Sequence, residues 1–454
     1  MSHFTASTDV ADDSAGWQMT PLRVAVFLVC FLLNMIDGMD VVIMAYIAPA
    51  LRAEWQLSSE ALGVVFSSSL AGMAAGGLLI APLADRFGRR PIILAVLSVI
   101  TLSMYASSRA TNVEEMALLR GIIGVCVGAF LACVAAIAAD FAPKGKKALF
   151  VAIVVSGYPF GAVMTGVAAA HGMHIHGWHG MLVGASLISL IALPLVYVFL
   201  PESIDYLKTA QPKGALQKLN RILTRLGERP ITALPPKPEK MAKISVATLL
   251  KDGRATPTFA LWLAIILVFM TFYFLVSWIT QLSVQAGLPL ESAIYAGVLF
   301  NLGGFFGTLS IGFLGARFGL QKVTFIALTI GAGIVAALGW AGTSLGLTLG
   351  LAFCAGFLTN GGFNGFYGLS AVLYPIELRS TGIGWAMGIG RLGAVLGPLV
   401  GGILIGMGLS LTALMFVFAF PLIFSGLAAL WVRTGGQTEA KPAIPTRLSQ
   451  QDAA

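Results

Sequence analysis

Two acids three residues apart, Asp37 and Asp40, stand inside the first long apolar stretch of the chain, in Asp37-Gly38-Met39-Asp40. A carboxylate near the middle of a membrane span costs at least ~2.5 kcal/mol, so acids there serve an ion pair or a function. Positions i and i+3 share a helix face. Asn34, Asp37 and Asp40 therefore form one polar stripe on a greasy segment. The chemistry open to such a stripe is uptake and release of a proton or ion along a transport path. Two arginines lie inside other apolar stretches, Arg120 before Gly121-Ile122-Ile123-Gly124 and Arg391 after Gly388-Ile389-Gly390. A guanidinium near mid-depth needs an anion. No acid of the second half shares the depth of Arg391, which leaves Asp37 or Asp40 across an interface, or a carboxylate on a substrate. The arginine fork suits the second because it binds a carboxylate bidentately. Proton coupling needs a group that changes charge within the membrane. Asp37, nearer mid-span, is expected to carry the proton and Asp40 to be the arginine partner, with Arg120 in the same coupling set.

Around these charges the sequence offers aromatic rings and amides for a small ligand. They are Tyr158 beside Pro159, Tyr273, Trp278, Asn301, Asn360, Phe363, Asn364, Phe366 and Tyr367. Rings stack on rings, and amides bond hydroxyls; Asn34, Arg391, Tyr158, Tyr273, Trp278, Asn301, Asn360, Phe363 and Asn364 are the expected substrate-binding residues. Four of the five histidines cluster at His171, His174, His176 and His179 and read as an exposed loop rather than a metal site. The four cysteines are spaced like packing residues. No cofactor and no metal is expected, and no HExxH, nucleophile set or nucleotide loop points to an enzyme.

These residues are carried by membrane spans. The chain is 57% hydrophobic and 11% charged over 454 residues, far from the ~25% charged share of soluble domains. Twelve apolar windows of about 20 residues fall near 22–50, 60–83, 91–108, 114–139, 147–170, 180–200, 257–286, 291–315, 321–342, 345–373, 379–408 and 411–432. The expected organisation is an N-terminal tail (1–21), a six-helix half (22–200), a linker (201–256), a second six-helix half (257–432) and a C-terminal tail (433–454). The linker carries eleven Lys/Arg and a Pro235-Pro236 break, with a short surface helix expected near 215–226. The polar start lacks the pattern of a secretory signal, so the first span is expected to be retained. Of 28 Lys and Arg, Arg52 and Arg109 fall in loops on one side and Arg120 and Arg391 inside spans; all others fall on the opposite side. That side is expected to be cytoplasmic, with both termini on it. The net charge of +8 thus reports basic loops, not nucleic-acid binding.

The halves repeat. Gly76 to Gly88 reads GGLLIAPLADRFG and Gly307 to Gly319 reads GTLSIGFLGARFG; Pro143 matches Pro375, and Gly161-Ala162-Val163 matches Gly393-Ala394-Val395 in the same register. Parallel duplication of six spans, with a site between the halves, is the major facilitator architecture. The turn Asp85-Arg86-Phe87-Gly88-Arg89-Arg90 resembles the signature loop of that superfamily. The resemblance implies a gate on the basic side made of Asp85, Arg86, Gly88, Arg89 and Arg90, with Asp140 as a partner, that does not touch substrate. In the second copy Ala316 replaces the counterpart of Asp85, while Arg317 and Gly319 remain; Glu377 and Arg379 are expected to supply the missing ion pair. The Arg120 stretch resembles the span-four arginine motif associated with proton transfer. Asp37-Gly38-Met39-Asp40, the Asp85 to Arg90 loop, and Tyr374-Pro375 through Arg379-Ser380-Thr381-Gly382 to Gly390-Arg391 together look like the aromatic acid:proton symporter family of bacterial facilitators. That resemblance implies an all-α, twelve-helix monomer importing benzoate- or hydroxybenzoate-like anions with protons across the bacterial inner membrane. The alternatives are a facilitator for another small organic anion or a proton-driven drug exporter; Gly157-Tyr158-Pro159-Phe160-Gly161 lacks the Gly-Pro-Gly-Gly pattern of such exporters.

Overall fold

The computed structural model describes residues 19–143, 145–237, 246–251 and 253–432. Most of both expected tails and part of the expected linker lie outside these residues. The described chain is helical, in the order α1 (Pro21–Trp55), α2 (Ser59–Leu79), α3 (Leu83–Phe87), α4 (Arg89–Ser107), α5 (Val113–Phe141), α6 (Lys147–Val155), α7 (Gly157–Phe199), α8 (Ile204–Thr209), α9 (Ala215–Arg225), α10 (Val246–Leu249), α11 (Ala255–Gln285), α12 (Leu290–Phe318), α13 (Leu320–Leu338), α14 (Leu345–Leu373), α15 (Ile376–Gly406) and α16 (Leu411–Trp431).

Side chains punctuate the helices where the sequence turns polar. Thr20, Ser58, Asn112 and Ser410 accept backbone N–H bonds at the starts of α1, α2, α5 and α16, which satisfies donors that have no partner inside a helix. Among the described residues, eleven helical stretches are long and apolar enough to cross a membrane. One of these, Leu149–Phe199, has 51 residues. Run straight it would reach about 76 Å at 1.5 Å per residue, more than twice the ~30 Å apolar core of a bilayer. It bends at Gly177, with φ 61° and ψ −173°, so it makes two crossings and the total is twelve. The histidines flank this bend. The chain there is helical rather than the expected open loop, because it leaves helical geometry at Gly177 alone; His171, His174, His176 and His179 are nonetheless exposed.

The internal repeat is visible in the backbone. Gly88 lies between α3 and α4 at φ 100°, and Gly319 lies between α12 and α13 at φ 90°. Both hold the left-handed geometry that only glycine adopts cheaply. Within the halves, α2 packs on α5 and α12 on α14 as equivalent pairs, and α1 packs on α7 as α11 packs on α15. Gly124 is part of the first seam: a Cβ there would lie 2.0 Å from the Ser69 carbonyl oxygen.

The halves meet through α2 with α15, α7 with α12, and α1 with α11. The joining contacts lie away from the basic loops. Ser67 Oγ donates to the Val395 carbonyl at 2.8 Å, and Phe66 meets Trp278 edge-on at 5.3 Å. Further out, α2 and α15 touch by backbone: a Cβ on Gly63 would lie 2.9 Å from the Pro398 oxygen, and one on Gly402 would lie 2.5 Å from the Ser59 oxygen. The space between the halves is thus closed on the far face. Between the halves, α9 lies on the basic side and places Leu219, Ile222 and Leu223 inward. Arg23 at the start of α1 pairs with Glu228 just beyond α9 at 2.8 Å.

Gly38 is a point of close backbone contact between α1 and α7, since a Cβ would sit 2.0 Å from the Tyr158 carbonyl oxygen. Gly38→Ala must therefore push the two helices apart. We expect a loss of stability of about 1–3 kcal/mol, read as a lowered melting temperature of detergent-purified protein. An unchanged melting temperature would show that this contact does not set the α1–α7 spacing.

Candidate functional site

The deepest charges form an ion pair. Arg120 Nη1 donates to Asp40 Oδ1 at 2.7 Å and Arg120 Nη2 to the Asp40 backbone oxygen at 2.8 Å. Both side chains are 1% exposed. Arg120 lies only about two turns from the start of α5 yet turns inward, because α1 offers it a carboxylate and a carbonyl at once. A bidentate hold of this kind is the geometry in which a guanidinium tolerates burial. Asp40 Oδ2 and Arg120 Nε have no partner among the described residues. A cavity of about 20 Å³ beside Arg120 is lined by Ser69, Tyr273 and Ser277 from both halves, enough room and polarity for a water molecule.

Asp37, one turn before Asp40, is not held in this way. It is 2% exposed, and its Oδ1 has no partner among the described residues. Asp40 and Arg391 both lie within Coulombic range of it. Arg391, midway along α15, is half-buried and makes no hydrogen bond or ion pair among the described residues. Tyr273 and Tyr367 are in range of the same guanidinium, and Tyr158 is in range of Asp37 and Tyr273. Asp37 from one half and Arg391 from the other are thus near enough to interact across the space between the halves.

That space has an aromatic wall on the second half. Phe363 lies 4.4 Å from Phe269 and 5.3 Å from Phe272, and Phe269 lies 5.9 Å from Tyr273. Phe269 also adjoins Gly390, the residue before Arg391. Phe269 and Phe272 were not among the residues expected from sequence; their spacing from Tyr273 at i−4 and i−1 was the available signal. Asn360 and Asn364 lie one turn apart beside this wall, half-buried. Other expected residues are placed elsewhere. Trp278 is fully buried, and its indole N–H donates to the Pro398 carbonyl at 3.1 Å. It is a strut in the far contact rather than a cavity wall. Asn301 is buried and donates to the Gly297 carbonyl at 2.9 Å, while the Tyr46 hydroxyl donates to the Ala162 carbonyl at 3.4 Å. Asn34 is buried and turns back to the Cys30 carbonyl at 3.0 Å.

The basic loop forms a dense network within the first half. Arg89 bonds Asp140 at 3.2 Å, Asp205 at 3.2 Å and Ser203 Oγ at 2.8 Å. Glu202 accepts the Arg89 and Arg90 backbone N–H groups at 2.9 and 3.2 Å. It thereby caps α4, where a carboxylate is favoured by the helix dipole. A Cβ on Gly88 would lie 2.4 Å from Glu202 Oε2, so Gly88 serves this contact as well as the turn. Arg90 donates to the Tyr197 carbonyl at 2.5 Å. Burial, and then the charge of Glu202, raises the Tyr206 hydroxyl above its ordinary pKa; it stays protonated and donates to the Arg86 carbonyl at 3.3 Å. Glu202, Ser203 and Asp205 were missed from sequence because they lie more than a hundred residues from the loop they fasten. Asp85, expected in the gate, is exposed and unbonded among the described residues, and Arg86 and Arg317 are exposed against Phe87 and Phe318. The ion pair expected of Glu377 and Arg379 is absent among the described residues. Both are exposed at the start of α15, two residues apart, a spacing that points side chains to different faces.

The major facilitator superfamily model matches residues 30–338 and 295–452. The chain belongs to the major facilitator superfamily. It is a membrane transporter of the aromatic acid group rather than an enzyme. It is 30% identical to the gallate transporter of Pseudomonas putida over 442 residues, 97% of this chain and 98% of the relative. It is 31% identical to the 4-hydroxybenzoate transporter PcaK of Pseudomonas aeruginosa over 421 residues, 91% and 93% of the two chains. Among solved structures, a D-xylose-proton symporter superposes with a TM-score of 0.70 at 17% identity, covering 90% of this chain and 97% of that one. This likeness concerns the fold.

The Asp40–Arg120 pair generates a stability prediction. Arg120→Gln leaves a buried carboxylate uncompensated and should destabilise by about 3–5 kcal/mol. The Asp40→Asn/Arg120→Gln double variant should recover most of this loss in thermal denaturation. A double variant no more stable than the single one would contradict the pairing.

Proposed function

We propose that this facilitator imports aromatic carboxylates of the benzoate or hydroxybenzoate kind together with protons, by alternating access between two six-helix halves. The observation that carries the reading is Arg391, a mid-span guanidinium with no protein partner among the described residues, beside an aromatic wall and within range of Asp37. The relatives, transporters named for gallate and 4-hydroxybenzoate, support an aromatic anion as the missing partner.

In this reading the substrate carboxylate takes the fork of Arg391 and the ring lies against Phe363 and Phe269. Asp37 loses its attraction to Arg391 as the substrate binds, and takes up a proton so that the site stays near neutrality. Asp40 stays with Arg120 and holds α1 on α5 while Asp37 cycles. The positive-inside distribution supports a basic face in the cytoplasm of a bacterial inner membrane, with both termini and the 201–256 linker on that side. Closure on the far face then corresponds to an inward-facing state. The loop around Arg89 gates that side without touching substrate. The chain works as a monomer, since each half supplies one of the two facing charges.

Two variants test the roles separately. Arg391→Lys keeps the charge but loses the fork, and should weaken benzoate or 4-hydroxybenzoate binding about tenfold or more, measured by calorimetry. Wild-type affinity in this variant would place the carboxylate elsewhere. Asp37→Asn should abolish uphill uptake in proteoliposomes with an imposed pH gradient, yet retain exchange of internal for external substrate, which moves no net proton. Concentrative uptake surviving in Asp37→Asn would remove Asp37 as the carrier.

A further inference from the structure

Tyr46 lies on α1 about two and a half turns short of its far end at Trp55. It belongs to the first half, yet it stands where helices of both halves meet. A Cβ on Gly166 of α7 would lie 3.0 Å from the Tyr46 hydroxyl oxygen, and a Cβ on Gly297 of α12 would lie 2.7 Å from Tyr46 Cε1. The same Gly297 Cβ would lie 3.0 Å from Thr280 Oγ1 on α11. The ring therefore passes a glycine of its own half and enters a socket of the second half, built by Gly297 and Thr280. It is buried there, on the far side of the Asp37 and Asp40 level.

The polar and apolar parts of this side chain are divided between the halves. The hydroxyl donates to the Ala162 carbonyl of α7 at 3.4 Å, which ties the ring to the first half. At Gly297 the contact is a C–H edge on backbone, so parting the halves breaks no hydrogen bond at that point. The socket carries a second mark. Thr280 Oγ1 is buried and has no partner among the described residues. A dry hydroxyl without a partner costs free energy that water returns, which suits a surface that is wetted in another state. We propose that Tyr46 is the plug of the far face. Its ring seats at Gly297 while the halves are closed there, and leaves the socket, still tied to Ala162, when that face opens to admit substrate. The proposal rests on the alternating-access reading above, in which this structure is the inward-facing state.

Cysteine labelling from each face tests it. Thr280→Cys reports the socket. Tyr367→Cys reports the basic side, because Tyr367 is 42% exposed about two turns from the basic end of α14. Each reporter is made with Cys354→Ser, which leaves the buried Cys30, Cys126 and Cys133. The reagent is a charged, membrane-impermeant methanethiosulfonate, applied to right-side-out vesicles for the far face and to inside-out vesicles for the basic face. Tyr46→Ala should speed labelling of Thr280→Cys from the far face about tenfold or more, and slow labelling of Tyr367→Cys from the basic face, as the population moves to the far-open state. Tyr46→Phe keeps the ring and should leave both rates at the parent value. A hole left by the missing ring, or loosened packing, would raise rates without lowering either. Unchanged rates in Tyr46→Ala, rates raised on both faces, or a Tyr46→Phe that shifts as Tyr46→Ala does would overturn the plug while leaving the inward-facing reading intact. A parent whose Tyr367→Cys is not reached from the basic face overturns that reading, and the plug with it.

Discussion

The pairing of Asp40 with Arg120 is the interaction on which the arrangement of charge depends. Two full charges with both side chains 1% exposed are tolerable in an apolar interior only because each is the other's partner. Arg120 also bonds the Asp40 backbone oxygen, so the guanidinium grips the helix as well as the side chain. That fixes α1 against α5 and removes one acid and one arginine from the count. What is left over at depth is Asp37 on the first half and Arg391 on the second. Neither is neutralised within its own half.

Duplication set the frame, and the halves then diverged. Gly88 and Gly319 keep the same left-handed turn. Around the first, Arg89, Arg90, Asp140, Glu202, Ser203 and Asp205 build a bonded cluster. Around the second, Ala316 leaves Arg317 exposed. The second half has instead the aromatic wall and the amide pair. Bonded ion pairs are concentrated in the first half and the stacked rings of Phe269, Phe272 and Phe363 in the second.

Much of this was legible in the sequence, for definite reasons. Span length and apolar character locate the crossings, and the cost of burial makes Asp37, Asp40, Arg120 and Arg391 conspicuous. Sequence fixes depth along a helix well and rotation about it poorly. Trp278 lies in the right span but is turned into the far contact, with its N–H on the Pro398 carbonyl. Phe269 and Phe272 look like ordinary membrane-span aromatics until α14 brings Phe363 against them. Glu202 reads as a linker acid, and only the fold brings it onto the start of α4. The histidine segment was misjudged because polarity suggested a loop, whereas helix persists up to Gly177.

The far contact between α2 and α15 has a mechanical consequence. At Gly63 and Gly402 the two helices touch backbone to backbone. Interdigitated side chains act as gear teeth, and separating them means climbing over each one. At these two positions the seam has no teeth to unmesh, so they set little barrier to one helix rolling on the other, as a shaft turns in a plain bearing. Bulky residues at these two positions would convert the bearing into a ratchet, slowing the motion while leaving each half intact.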